Sequence, residues 1–217
     1  DGARFLDTPA FTLRQGELSA VDSVGFVIPA PTDATRDLPE IQEEGCVVPQ
    51  IRSEVTVCER GDPDGEVIVA VVGDSKILQW TTALTTIAER EGWRLLTYIK
   101  SACAFSDPSY DLVDEAREHC AAWNHDALQQ IIEAAPDVVV TAGRGVFDGR
   151  TDDGSIEPGA QRIATWWGHL QDAGATVIPV LDNPAPPFEV YECVSENPTR
   201  LSECAFPRDR AIAQSGA

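Results

Sequence analysis

The stretch Val67-Ile68-Val69-Ala70-Val71-Val72-Gly73-Asp74-Ser75-Lys76-Ile77-Leu78-Gln79-Trp80 decides the fold. Its first six residues are apolar and mostly β-branched, the composition of a strand covered on both faces. Beyond the Gly-Asp-Ser turn, Ile77, Trp80, Leu84, Ile87 and Ala88 recur at three- and four-residue steps, and Gly92 is placed to stop the helix they describe. A buried strand over 67–72 therefore ends, turns sharply and gives way to a helix over 76–91. Ser75 falls between the two. In open α/β sheets the carboxyl edge is where ligands bind, and helix-end N–H groups there can stabilise a negative oxygen. Ser75 is thus a candidate nucleophile. The competing reading is a serine N-cap, because Asp-Ser before a helix is common capping chemistry.

Downstream, strand and helix patterns alternate. A second strand is expected over 93–99. A helix over 111–134 carries Leu112, Ala116, Cys120, Leu128, Ile131 and Ile132, with a break point near Asn124. Val138-Val139-Val140-Thr141 reads as a third strand. A Gly-rich loop follows over 142–154, then a helix over 157–173 that Gly174 ends, then a fourth strand over 176–181. This alternation predicts a parallel sheet with helices on both faces. Right-handed crossovers make it a doubly wound, flavodoxin-like three-layer α/β/α sandwich of strand order 2-1-3-4. Residues 1–65 lack long periodicity, are punctuated by Pro29, Pro31, Pro39 and Pro49, and read as an extended linker or wrap segment. The turn Asp62-Pro63-Asp64-Gly65 introduces the first strand. The expected division is 1–65 and 66–217. After residue 181 come Pro184, Pro186 and Pro187, the Cys193–Cys204 stretch and a possible helix start at 208–214. No fifth apolar strand follows, so the sheet is expected to lack its last strand and helix, as a carboxyl-terminal truncation would leave it.

The 217 residues carry 36 acidic and 16 basic side chains, a formal net charge of -20. Such a surface repels phosphate backbones, which argues against nucleic acid as a partner. No apolar run approaches the ~20 residues that span a bilayer, and no signal peptide opens the chain. The absence of methionine, even at position 1, fits an excised fragment. The cysteines (Cys46, Cys58, Cys103, Cys120, Cys193 and Cys204) fall into three sequence-local pairs with no C-x-x-C, and only His119, His125 and His169 accompany them. A zinc site has little support; disulfides in an oxidising compartment are the expectation. Six cysteines allow fifteen pairings, of which the local set is Cys46–Cys58, Cys103–Cys120 and Cys193–Cys204. The Asp-rich run from Phe147 to Asp153 lacks EF-hand spacing and its closing glutamate, so it reads as a loop beside the cleft. No metal or cofactor is expected.

Catalytic groups of this fold class sit in loops at the carboxyl ends of strands. Four such loops are expected to converge: Gly73-Asp74-Ser75, Ile99-Lys100-Ser101-Ala102-Cys103, Thr141-Ala142-Gly143-Arg144-Gly145 and Leu181-Asp182-Asn183-Pro184. A phosphate-binding flavodoxin-like reading needs a Gly-rich loop after the first strand, and Gly73-Asp74-Ser75-Lys76 is too short and acidic for one.

Here a family resemblance enters. The run Val71-Val72-Gly73-Asp74-Ser75-x-x-x-Gln79-Trp80 is followed by Glu91-Gly92-Trp93, Lys100-Ser101-Ala102-Cys103, Cys120 three residues before Trp123, and Pro136-Asp137-Val138-Val139. Upstream are Asp37-Leu38-Pro39, Gly45-Cys46, Cys58 and Gly61-Asp62; downstream are Cys193, Cys204-Ala205-x-Pro207-Arg208 and Ala211. In order and spacing these resemble the extracellular SGNH (GDSL-like) domains fused to the carboxyl end of bacterial integral-membrane acyltransferases, over roughly residues 30–213.

The resemblance implies an SGNH sandwich that receives an acyl group, usually acetyl, from the membrane part of the same polypeptide. The domain passes it through an acyl-serine to a hydroxyl of a cell-surface glycan or glycolipid, on the extracellular or periplasmic face of the membrane. It implies that Ser75 is the nucleophile and that its N–H helps form an oxyanion hole. The second and third loops complete that hole, at Ala102, Gly143 and Arg144 here, where SGNH enzymes use a Gly and an Asn.

Three departures stand out. The third loop has Gly143-Arg144 in place of a Gly-x-Asn block, with Arg144 suited to an oxyanion or to a salt bridge. Lys76 replaces a common histidine; its charge can lower the serine pKa, but the favoured reading points it to solvent. No Asp-x-x-His block, the family's source of the general base, occurs in the chain. A serine needs a base to take its proton, so these residues alone are expected to be inactive, through truncation or as a degenerate domain that binds an acceptor without turnover. The three histidines read as surface or packing residues. The tryptophans Trp80, Trp93, Trp123, Trp166 and Trp167 can stack on sugar rings, but their helix and strand positions favour the core.

Overall fold

The computed structural model describes residues 22–107, 115–142, 148–150 and 156–215. They form two compact units, 39–183 and 22–38 with 184–214.

The first unit is built on the expected central strand. β3 (Ile68–Gly73) is buried along nearly its whole length, as an apolar run without alternation requires. It pairs in parallel with β4 (Arg94–Lys100) on one side and β5 (Val138–Ala142) on the other, and β5 pairs in parallel with β8 (Thr176–Val180). The order β4-β3-β5-β8 is the 2-1-3-4 arrangement expected from the alternation. Two more strands lie on the outer side of β4. β1 (Val47–Val48) runs parallel to its end, and β2 (Val57–Gly61) runs antiparallel along residues 94–98. The sequence reading missed both because they sit inside the segment read as a linker. β1 is two residues long. β2 is the half-exposed sequence Val-Cys-Glu-Arg-Gly, held by its ladder, by the bidentate Arg94–Glu59 pair at 3.1 and 3.0 Å and by the Cys46–Cys58 disulfide. A further antiparallel pair joins β6 (Asp148–Arg150), inside the expected Gly-rich loop, to β7 (Ile156–Pro158), which takes the first residues of the helix expected over 157–173.

Helices cover both faces. α1 (Glu40–Glu43) precedes the sheet. α2 (Ser75–Leu78) and α3 (Thr81–Glu91) follow β3 and bury Ile77, Leu78 and Ala88 against Val69, Val71, Leu95, Ile99 and Val140. The single helix expected over 76–91 is divided where the Thr81 hydroxyl donates to the Leu78 carbonyl at 2.7 Å and the Trp80 N–H to Ile77 at 2.9 Å, which tightens one turn. Gly92 ends α3 in the left-handed region, as placed. On the opposite face, α4 (Glu115–Ala134) and α5 (Gly159–Asp172) bury Trp123, Ala127, Leu128, Ile131, Trp166 and Leu170 against Ala70, Val72, Leu96, Tyr98 and Val139. α4 runs unbroken through Asn124, whose amide turns inward and donates to the Ala104 carbonyl at 3.0 Å. A residue that reads as a helix breaker is a tie to the loop after β4.

The second unit holds α6 (Val190–Glu196), a 3-10 turn over Leu201–Cys204 and the start of α7 (Arg208–Ser215). The Cys193–Cys204 disulfide joins α6 to that turn, and the Leu201 N–H donates to the Asp22 carbonyl at 2.9 Å. No helix among the described residues is long and apolar enough to cross a membrane.

Candidate active site

The parallel strands end at one level. Gly73 is paired with Ile99 and with Ala142, and Ala142 with Val180. The carboxyl ends of β4, β3, β5 and β8 therefore lie side by side at one edge, the arrangement that gives this fold class its ligand cleft.

The turn after β3 is built by Gly73 and Asp74. Gly73 has φ +143°, and a Cβ there would lie 3.1 Å from the Ala142 carbonyl oxygen and 3.2 Å from Ile77 Cγ2, so the turn requires glycine. Asp74 is the N-cap of α2: its side chain accepts the Lys76 N–H at 2.9 Å. The competing reading of Ser75 as the cap is thereby corrected. Ser75 is the first helical residue and is exposed, while Asp74 beside it is buried. Burial above all raises the Asp74 pKa from its ordinary value, and the nearby Asp182 carboxylate adds to this, against the lowering effect of Lys76.

The loop after β4 contains Ala102 at φ +49°, a left-handed conformation unusual for a residue with a side chain. It is fixed on both sides. Before it, the fully buried Lys100 ammonium donates to the carbonyls of Pro49 at 2.8 Å, Gln50 at 3.1 Å and Arg52, and the Ser101 N–H donates to Val48 at 2.9 Å. Burial pushes the Lys100 pKa down. After it, the Cys103–Cys120 disulfide and the Asn124 amide bind the loop to α4. Strained backbone persists only where its surroundings over-determine it, as they do here. Gly143 and Arg144, the other two expected oxyanion-hole positions, lie outside the described residues.

The loop after β8 supplies what the sequence reading located but assigned no role. Asp182, almost wholly buried, lies 3.1 Å from the Lys76 ammonium. The expectation that Lys76 points to solvent is corrected: a buried carboxylate needs a partner, and Lys76 provides one. Asn183 donates through Nδ2 to Gln79 Oε1 at 2.6 Å. The signal was present in sequence as an acidic residue just past an apolar strand, but its partner is 106 positions away (182 − 76) and could not be named.

The three histidines are on α4 and α5, on the sheet face opposite α2. His119 faces Glu115 at 3.8 Å, and His125 and His169 both meet the Trp166 ring edge-on, at 5.5 and 5.7 Å. None is brought to Ser75. Of the tryptophans, Trp123 and Trp166 are buried, Trp93 and Trp167 are half-buried, and Trp80, one turn beyond Lys76, is 38% exposed. The described residues contain no cluster of His, Cys, Asp and Glu able to hold a metal ion.

Residues 45–217 match the family described as SGNH domain (fused to AT3 domains), and the chain belongs to that family. A search of curated proteins finds no match. Among solved structures, the periplasmic domain of a lipopolysaccharide acetyltransferase from Salmonella ser. Paratyphi A aligns at 17% identity and a TM-score of 0.44, covering 64% of this chain. The alignment spans 52% of that structure's length.

Proposed function

We propose that this member of the SGNH family is an O-acyltransferase domain that carries an acyl group, acetyl foremost, on Ser75 to a hydroxyl of a cell-surface glycan or glycolipid. The observation that carries the reading is the state of Ser75: exposed, on the first turn of a helix, at the carboxyl edge, and relieved of capping duty by Asp74. In the first step the Ser75 oxygen attacks the donor's acyl carbonyl. Its proton passes to a base, and the donor's leaving group departs with a proton. In the second, a glycan hydroxyl attacks the acyl-serine, an ester forms on the sugar, and the serine regains its proton. The N–H groups of Ser75 and Ala102 are the proposed donors to the tetrahedral oxyanion, with Gly143 and Arg144 completing the set. Ala102 suits this role because its backbone is held in one orientation from both sides.

The acyl donor is an AT3 membrane domain of the same polypeptide, in keeping with the fusion that characterises the family. The domain then works on the extracellular or periplasmic face, where its three disulfides are stable.

A second reading is favoured by the placement of the histidines. All three are on the far face of the sheet, so none of them is the base. A domain with no base from elsewhere would dock an acceptor without turnover. Hydrolysis of a chromogenic acetyl ester by the full-length protein separates the two. Turnover that disappears in Ser75→Ala supports the transferase. Glycan binding without turnover supports the docking domain.

A further inference from the structure

Lys76, the residue directly after the proposed nucleophile, is held at three points. Its backbone N–H donates to Asp74 Oδ1 at 2.9 Å, its carbonyl accepts from Gln79 Nε2 at 2.9 Å, and its ammonium lies 3.1 Å from Asp182 Oδ2. The last contact crosses from the turn after β3 to the loop after the edge strand β8. A second crossing runs beside it, from Asn183 Nδ2 to Gln79 Oε1 at 2.6 Å. Asp182 is itself fixed, with its other carboxylate oxygen accepting the Asn183 N–H at 2.8 Å. Its side chain is 2% exposed, against 31% for Lys76.

A buried ion pair contributes little net stability compared with apolar side chains of similar volume, because desolvation offsets the attraction. What such a pair supplies is geometry, and the loss of one partner leaves an uncompensated charge. Here the geometry joins the turn that carries Ser75 to the loop after β8, beside the Asn183–Gln79 hydrogen bond that links the same two segments. The tolerance for error is small, since a displacement of about 1 Å at a reacting group costs on the order of 100-fold in rate.

Resting on the reading of Ser75 as nucleophile, we propose that Asp182 is a positioning residue: it holds the Lys76 ammonium and, through it, clasps the Ser75 turn to the loop after β8. Asp182 touches no reacting atom in this account. It also engages the ammonium next to Ser75, so that this cation is committed to a fixed partner.

The test uses the full-length protein carrying this domain, with Asp182→Asn, Lys76→Gln, the double variant and Asp182→Glu. Two readouts are taken: amide hydrogen exchange by peptide, and the rate of acetyl-Ser75 formation from a chromogenic acetyl ester, identified by peptide mass spectrometry. Asp182→Asn is expected to speed exchange about tenfold in the peptide spanning 75–80, with β3 and β5 unchanged. It is expected to slow acetyl-Ser75 formation about 10- to 100-fold at an unchanged KM. Lys76→Gln should do the same, the double variant should be no worse than either single, and Asp182→Glu should recover part of the rate. Unchanged exchange at 75–80, faster exchange spread evenly over the domain, additive single effects, or a normal acylation rate in Asp182→Asn would each overturn the proposal. Acetylation that persists in Ser75→Ala would instead overturn the nucleophile reading, while the exchange data still report on the clasp.

Discussion

Replacing Gly73 with alanine isolates the demand that the turn after β3 makes on the sequence. Two costs add. The φ of +143° lies where side-chain-bearing residues are rare, and such conformations cost about 1–3 kcal/mol. The new methyl would also sit 3.1 Å from the Ala142 carbonyl oxygen and 3.2 Å from Ile77 Cγ2. The first is backbone of the paired strand β5, and the second belongs to a fully buried side chain, so neither yields freely. Overpacking of this kind costs about 1–3 kcal/mol. The sum, about 2–6 kcal/mol, corresponds to a fall in Tm of about 4–24 °C for a domain of this size. Gly92→Ala is the control. Its φ is +67°, but no atom lies within 4 Å of the added Cβ, so only the left-handed backbone is penalised, at about 1–2 kcal/mol. Urea unfolding of the two variants beside wild type gives the comparison. Gly73→Ala should be the more destabilised by at least about 1 kcal/mol. Equal losses, or a Gly73→Ala loss below about 0.5 kcal/mol, the ordinary range of a surface change, would refute the reasoning.

Other expectations follow from the same edge of the sheet. The folded-state pKa of Asp74 is raised, chiefly by burial, above its ordinary 3.8. Protonation therefore favours the folded state: that stability is fully present below about 3.8 and is lost as pH rises through the folded value. Asp74→Asn keeps the cap acceptor without the charge, so it should be more stable than wild type at pH 7, and the gap should close on acidification toward pH 4; a gap that widens contradicts the assignment. Cys103→Ser/Cys120→Ser opens a loop closed over a separation of 17 residues. It should cost about 3 kcal/mol in denaturant unfolding and speed amide exchange at Ala102 before the sheet is affected. Exchange at Ala102 that matches wild type would mean that the Lys100 cradle alone fixes the loop.

The central βαβ units were legible because their signals are local. Val67–Val72 has no polar interruption, and Gly73 and Gly92 stand where a turn and a helix stop need them. The alternation pointed to a doubly wound parallel sheet, and the flavodoxin-like order 2-1-3-4 chosen for it matches the order of the four parallel strands. β1 and β2 were not legible, because short edge strands draw their stability from β4 rather than from their own residues. Asn124 was misread for a related reason: its low helix propensity is local, but its hydrogen bond to Ala104 is tertiary. At the carboxyl edge, the strand–turn–helix that bears Ser75 was legible in sequence, whereas the capping role of Asp74 and the Lys76–Asp182 pair were not. Capping is decided by backbone angles at one residue, and the ion pair by the meeting of two loops distant in the chain.

The central claim is that Ser75 carries the acyl group, and the most direct measurement is peptide mass spectrometry of the full-length protein, quenched in acid during turnover of an acetyl donor. The account predicts an acetyl increment on the peptide containing Ser75, absent in Ser75→Ala and discharged when a glycan acceptor is added. An acetyl group found on another residue, or transfer that continues in Ser75→Ala, would contradict it.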